Sequence, residues 1–156
     1  MLYGNQGNDN LYGGQGNDTV FGGQDNDYVY GNLDIDRVLG NYGDDFVHGG
    51  GGDDFCHGGR DDDTLNGGTG DDTLNGGTGD DVFVFGNITN GDDHIVGFEG
   101  AGVDGGDLIQ IVSTLISGSV DTELTFSGSD SIITLIGGST ITVEDVTITA
   151  DDISLV

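Results

Sequence analysis

Proline and lysine are absent from this chain, and its only basic residues apart from three histidines are Arg37 and Arg60, set against 29 acids. The formal charge of −27 excludes nucleic acid and anionic membrane as partners, because both would be repelled. Lack of proline beside 33 glycines excludes a collagen-like chain and points to many tight turns. The single cysteine, Cys56, can form no intrachain disulfide, and its apolar surroundings in the sequence suit a buried thiol. No apolar run approaches the length of a membrane span, and the start Met-Leu-Tyr-Gly-Asn-Gln has neither the basic region nor the apolar stretch of a cleavable signal peptide. The length of 156 residues suits one domain or one elongated array with a cap.

What the chain does have is a period. Residues 4 to 84 divide into nine nonapeptides of the form Gly-x-x-(Gly/Asp)-x-Asp-x-apolar-x. Position six is always aspartate: Asp9, Asp18, Asp27, Asp36, Asp45, Asp54, Asp63, Asp72 and Asp81. Position eight is always apolar: Leu11, Val20, Val29, Val38, Val47, Cys56, Leu65, Leu74 and Phe83. Acid locked to one column of an apolar-bearing repeat argues against a disordered, solvated tail. Glycine at positions one, two and four is expected to supply positive φ for a six-residue turn. The last three residues are then a short strand, with positions seven and nine facing one way and position eight the other. Leu2 and Tyr3 fit positions eight and nine of a preceding, incomplete repeat, so the chain is expected to be the C-terminal piece of a longer protein.

This pattern resembles the glycine- and aspartate-rich nonapeptide of the RTX (repeats-in-toxin) family of secreted calcium-binding proteins. The resemblance implies an all-β fold, a right-handed parallel β-roll over residues 1–84 with two nonapeptides per coil, followed by a β-rich cap over 85–156. Successive strands would lie on alternate sides of the roll, stacking the aspartates in two columns. Coils in a parallel sheet are about 4.8 Å apart, and unit charges at that spacing repel by about 3 to 4 kcal/mol at an effective dielectric of about 20. A cation is therefore needed between coils. Calcium fits, since it accepts six to eight oxygens in flexible geometry. The candidate ligands are the nine position-six aspartates with the backbone of Gly14, Gly16, Gly50, Gly52, Gly68, Gly70, Gly77 and Gly79. Pairing each repeat with the second one after it gives about seven ions.

The copies are unequal. Position five is Asn8, Asn17, Asn26 and Ile35, then Asp44, Asp53, Asp62, Asp71 and Asp80, so acid near the ligands increases along the chain. The fourth repeat, Gly-Asn-Leu-Asp-Ile-Asp-Arg-Val-Leu, is the most degenerate, and a site using the turn at 31–36 is the weakest expected. Tyr12, Tyr28, Tyr30 and Phe46 fall on one outward face, and Phe21, Leu39, Phe55 and His57 on the other. Such a stripe either packs against other sequence or binds a polysaccharide or partner. His48 and His57 fall on opposite faces and form no metal pair.

After residue 84 the nonapeptide gives way to short β-rich runs: 82 to 85, His94 to Phe98, Leu108 to Val112, Glu123 to Phe126, Ile132 to Ile136, Thr140 to Val143 and Val146 to Ile148. Asp92-Asp93-His94-Ile95-Val96-Gly97-Phe98 followed by Asp107, Leu108 and Ile109 resembles the strand pair that closes RTX rolls. The ending Asp151-Asp152-Ile153-Ser154-Leu155-Val156 resembles the acidic-then-apolar terminus of type I secretion substrates, and equally suits an ordinary terminal strand. Gly100, Gly102 and Gly105 match a dinucleotide fingerprint only formally, since no helical period follows. Gly137 to Ile141 fails as a nucleophile elbow, and no EF-hand loop occurs. The residues show no catalytic constellation. The implied function is a calcium-dependent folding, stabilisation and secretion module of an extracellular protein from a Gram-negative-type bacterium, served by type I secretion machinery and attached to an upstream domain. The alternative is a polysaccharide- or partner-binding module that uses the aromatic face.

Overall fold

The computed structural model describes residues 1–86, 91–99, 106–111, 123–127, 130–134, 139–144, 146, 148 and 152–155. The nonapeptides fold as expected into parallel strands that alternate between two sheets. They are β1 (Leu2–Gln6), β2 (Asn10–Gly14), β3 (Thr19–Gln24), β4 (Tyr28–Leu33), β5 (Arg37–Tyr42), β6 (Phe46–Gly51), β7 (Phe55–Arg60), β8 (Thr64–Thr69), β9 (Thr73–Thr78) and β10 (Val82–Phe85). Strands one coil apart pair in register at a shift of 18 residues, as in Val20 with Val38 and Val29 with Val47.

The strands are longer than the three residues expected. Most run from position seven through position three of the next repeat. The chain bends at position two, where all nine residues have positive φ, from 79° at Asn5 to 133° at Gly23 and Gly59. Position four is left-handed throughout as well, including Asp25, Asp34 and Asp61. Position one is not: none of its nine glycines has a positive φ. Glycine is required there by space. A Cβ on Gly49 would stand 2.5 Å from Asp54 Oδ2 and 2.5 Å from the carbonyl oxygen of Gly67.

The roll continues past the nonapeptides through β11 (Asp93–Val96), β12 (Leu108–Ile111), β13 (Glu123–Ser127), β14 (Asp130–Thr134), β15 (Thr140–Val143) and β16 (Ile153–Leu155). One sheet has the order β1-β3-β5-β7-β9-β11-β15-β14-β13 and the other β16-β12-β10-β8-β6-β4-β2. β11 extends β9, β12 extends β10, and β16 pairs with β12, all parallel. β13, β14 and β15 form an antiparallel end to the nine-stranded sheet. Among the expected runs, 82 to 85 and Thr140 to Val143 match, whereas the described residues 146 and 148 lie in no strand and β11 ends before Phe98. Residues 112, 135 and 136, with 100–105, 137 and 138, lie outside the described residues. Within the terminal acidic-apolar stretch, Ile153–Leu155 form a paired strand, with Ile153 opposite Ile109.

One core threads both parts. All nine position-eight side chains are buried, and Ile95, Phe98, Ile109, Ile111, Ile133, Ile141, Val143 and Ile148 prolong the column. Phe83 meets Phe98 at 5.9 Å between ring centroids. At the surface, His94 Nε2 lies 3.1 Å from Glu144 Oε1, tying β11 to the end of β15. No helix among the described residues is long and apolar enough to cross a membrane.

Candidate metal centre

The aspartates of position six stand where the chain leaves the turn, and pairing of the sheets stacks them in two columns. Their chemistry divides between the two carboxylate oxygens. Oδ1 accepts the backbone N–H of the aspartate one coil earlier: Asp27 from Asp9 at 2.8 Å, Asp45 from Asp27 at 2.7 Å, Asp63 from Asp45 at 2.8 Å and Asp81 from Asp63 at 2.9 Å. The other column repeats this for Asp36, Asp54 and Asp72. The carbonyl of the earlier aspartate accepts the N–H of position seven in the later coil, as for Phe46 on Asp27 at 2.9 Å. Oδ2 is different. In Asp9, Asp27, Asp36, Asp45, Asp54, Asp63 and Asp72 it is buried with no hydrogen-bond partner.

From Asp27 onward, burial raises the proton affinity of the stacked carboxylates above the ordinary value of 3.8. Desolvation is the main cause, opposed by the backbone N–H donor and reinforced by neighbouring carboxylates. Asp63 and Asp72 are pushed up to about 8, Asp45 and Asp93 to about 7, and Asp54 and Asp81 to about 6. Asp27, Asp36 and Asp107 are raised by the same cause. A buried carboxylate with an orphaned oxygen is costly unless a proton or a cation completes it.

The surroundings fit a cation bound by oxygen. Asp27 Oδ2 and the carbonyl oxygen of Gly40 lie 2.5 and 2.6 Å from the point where a Cβ on Gly22 would stand, so carboxylate and carbonyl converge beside the bare glycine. The carbonyls of Gly50 and Gly52 press against Gly68 and Gly70 of the next coil, and that of Gly59 against Gly77. Among the described residues no three carboxylate, imidazole or thiol groups converge on one point. A cation held here must therefore take part of its shell from backbone carbonyls, a mixed oxygen set that suits calcium better than metals bound by nitrogen or sulfur.

The degenerate turn at 31–36 keeps this geometry. Asp36 Oδ1 accepts from Asp18 at 2.7 Å, and Asp34, left-handed at φ 73°, accepts the N–H of Gly16 at 3.0 Å through Oδ2. Asp25 and Asp61 do the same for Gly7 and Gly43. Aspartate at position four thus replaces glycine by capping the turn one coil back. Position-five acids reach the other way: Asp44, Asp62, Asp53 and Asp71 accept the N–H of Asp62, Asp80, Asp71 and Asp92 respectively.

Two residues missed in the sequence extend the columns. Asp93 Oδ1 accepts from Asp72 at 3.0 Å and Asp107 Oδ1 from Asp81 at 3.1 Å, and both are buried. Their separations of 21 and 26 residues break the period, which hid them. The surviving signal was local: an aspartate two residues before an inward apolar residue, Ile95 or Ile109. Asp107 also accepts the N–H of Glu99 at 2.8 Å, which closes the connection between β11 and β12.

The outward face of the seven-stranded sheet gathers the aromatics as expected. Tyr12 and Tyr30 stack at 5.0 Å, and Tyr28 and Phe46 lie 5.8 Å apart. No aspartate, glutamate, lysine or arginine occurs in any strand of that sheet. His48 and His57 lie on different sheets.

Parallel coils joined by left-handed turns, with stacked carboxylates at their edges, define a β-roll of the metal-binding repeat class. The RTX calcium-binding nonapeptide repeat (4 copies) matches residues 3–38, 30–65 and 57–87, and the chain belongs to this family. A search of curated proteins found no match. Among solved structures, the extracellular lipase LipA from Serratia marcescens matches 92% of this chain and 40% of its own, at 18% identity and a TM-score of 0.47. A subunit of the Azotobacter vinelandii mannuronan C5-epimerase, solved in solution, matches over 84% of this chain and 78% of its own, at 22% identity and a TM-score of 0.32.

Proposed function

We propose that this chain is the calcium-dependent folding, stabilisation and secretion module at the C-terminal end of a larger extracellular bacterial protein. The observation that carries the reading is the set of seven orphaned, buried Oδ2 atoms in two parallel columns. Each is a ligand position that the protein alone leaves unsatisfied. Oδ2 and the turn carbonyls would hold calcium, which would supply positive charge between the coils. The chain supplies the rest: Oδ1 is held by a backbone N–H, the bare glycine makes room, and the inward column keeps the turns in register. With few cations the carboxylates repel and the coils separate; with calcium they become the links between coils. About seven ions, one for each pair of stacked nonapeptides, complete the roll. The family is one of calcium-binding repeats, so an enzymatic activity would belong to an upstream domain.

Circular dichroism during a calcium titration tests this reading. The repeat block is expected to be largely disordered in chelator and to order cooperatively with calcium. A fully formed roll in excess chelator would overturn it. For secretion, removal of residues 151–156 from a chain co-expressed with a type I exporter should abolish its appearance in the medium.

The aromatic face supports a second role less well. Tyr12 and Tyr30 turn their ring faces towards each other along the roll, at 8° between planes, which spends those faces on internal stacking rather than on a sugar. Saturable glycan binding lost in Tyr28→Ala would favour the binding reading over the folding one.

A further inference from the structure

Both arginines of the chain lie on neighbouring strands, β5 and β7, of the nine-stranded sheet, and neither pairs with a carboxylate among the described residues. The ion pairs there are Met1 with Asp18 and His94 with Glu144. In a chain with 29 acids this is unexpected, and the geometry explains it. Every acid of the nonapeptide block lies outside strands β1 to β10. The acids that follow Arg60 are engaged with backbone: Asp61 Oδ2 accepts from Gly43 at 3.3 Å and Asp62 Oδ1 from Asp80 at 2.9 Å. The arginines turn to rings instead. Arg37 lies over Phe55, 4.4 Å from its centroid, and Arg60 over Tyr42 at 5.1 Å.

Beside Arg60 is a shallow depression of about 360 Å³, lined by Leu39, Asn41, Tyr42, His57, Gly59 and Arg60. We propose that this depression binds a carboxylate carried on a compact ring, as in an aromatic acid or an acidic sugar unit. The Arg60 guanidinium stands over the Tyr42 ring without a carboxylate partner among the described residues, which leaves it N–H donors of the kind through which arginine takes a carboxylate in two parallel hydrogen bonds. Leu39 offers an apolar surface to the body of the ring. Asn41 and His57 offer polar groups to substituents around it. The volume suits one ring and not an extended chain. The flanking acidic edges oppose an anion at long range, and calcium in the turns would cancel much of that field, so the calcium-loaded chain is the binding form.

The test follows the side-chain resonances of Tyr42 and His57 in the full chain, saturated with calcium, during titration with benzoate, glucuronate or inorganic phosphate at constant ionic strength. Saturable shifts with benzoate or glucuronate are expected, and the tighter of the two tells an aromatic acid from an acidic sugar. Arg60→Gln, an exposed change, should weaken binding about tenfold or more, while Arg37→Gln, outside the depression, should leave it unchanged. Circular dichroism in calcium shows whether each variant is folded, so loss of the site is distinguishable from loss of the roll. The proposal is overturned by shifts with neither acid, by phosphate binding as tightly as both, or by unaltered binding in a folded Arg60→Gln variant.

Discussion

Asp63 accepts the backbone N–H of Asp45 through Oδ1 at 2.8 Å, while its Oδ2, equally buried, meets no partner. One side chain thus does two things: it holds the preceding coil in register, and it leaves a charged oxygen for something the polypeptide does not provide. Loss of the whole side chain removes both and strands a buried N–H, which costs about 1 to 3 kcal/mol by itself. Asp63→Ala should therefore raise the calcium midpoint of folding. Asp36→Ala should raise it less, because residue 36 follows Ile35 whereas residue 63 follows Asp62 and feels the charges of Asp45, Asp81 and Asp44. Equal shifts in calcium titrations of the two variants would contradict this ranking.

Acid should partly replace calcium. Burial raises the aspartates from 3.8 in the unfolded chain to between about 6 and about 8 in the cation-free roll. Between those limits the folded state binds more protons than the unfolded one, so stability falls as pH rises from about 4 to about 8. In chelator, circular dichroism should show structure returning as pH is lowered through that window. Calcium and protons then fill the same oxygens and both favour the roll over the unfolded chain, so the calcium midpoint of folding should move to lower concentration as pH falls from 8 to 6. A midpoint that rises as pH falls would show that protonation of these carboxylates does not stabilise the roll.

The two kinds of glycine should respond differently to substitution. Gly49→Ala has an acceptable backbone angle but no room between Asp54 Oδ2 and the Gly67 carbonyl, and should cost about 1 to 3 kcal/mol as overpacking. Gly16→Asn has open space and a φ of 85°, which asparagine adopts at position two in Asn5, Asn32 and Asn41, and should cost no more than a few tenths of a kcal/mol. Thermal unfolding in saturating calcium compares them.

Cys56 offers a built-in reporter. Its thiol is wholly buried in the apolar column, and desolvation followed by the charges of Asp54, Asp72 and Asp36 pushes its pKa well above the ordinary 9.0. A thiol reagent should label it slowly in calcium and rapidly in chelator. Equal rates in both conditions would mean that the middle of the roll does not open when calcium is withdrawn.

Ordering should spread from the cap towards the N-terminus. β10 is flanked by β12, and Asp81 is already held by Asp107, whereas β1 and β2 are sheet edges. Hydrogen exchange during a calcium titration should protect residues 63–84 before residues 4–30. The opposite order would place nucleation in the first coils.

The repeat itself was legible because a solenoid encodes its fold locally. A period of nine with apolar residues at position eight specified which side chains point inward, and the resemblance to the RTX repeat implied that strands alternate between two sheets and that the position-six aspartates stack; every one of those inward residues is buried. Period alone could not assign roles to the glycines. Positive φ at position two and the space demanded by Asp Oδ2 at position one both select glycine, and only the positions of neighbouring coils separate the two causes. The same holds for Asp93 and Asp107, whose loops of unequal length hide a register that ladder pairing and the inward packing of Ile95 and Ile109 impose. It holds also for Arg37 and Arg60, 23 positions apart in the sequence and brought to adjacent strands by the coil. Sequence by itself determined the repeat and the core, which follow from local period and chemistry, and through the resemblance that repeat carries it implied the coil and the acid columns. Tertiary structure decided which oxygen is satisfied, which is left for a cation, and which distant side chains share a face, because these depend on contacts between coils that no single repeat contains.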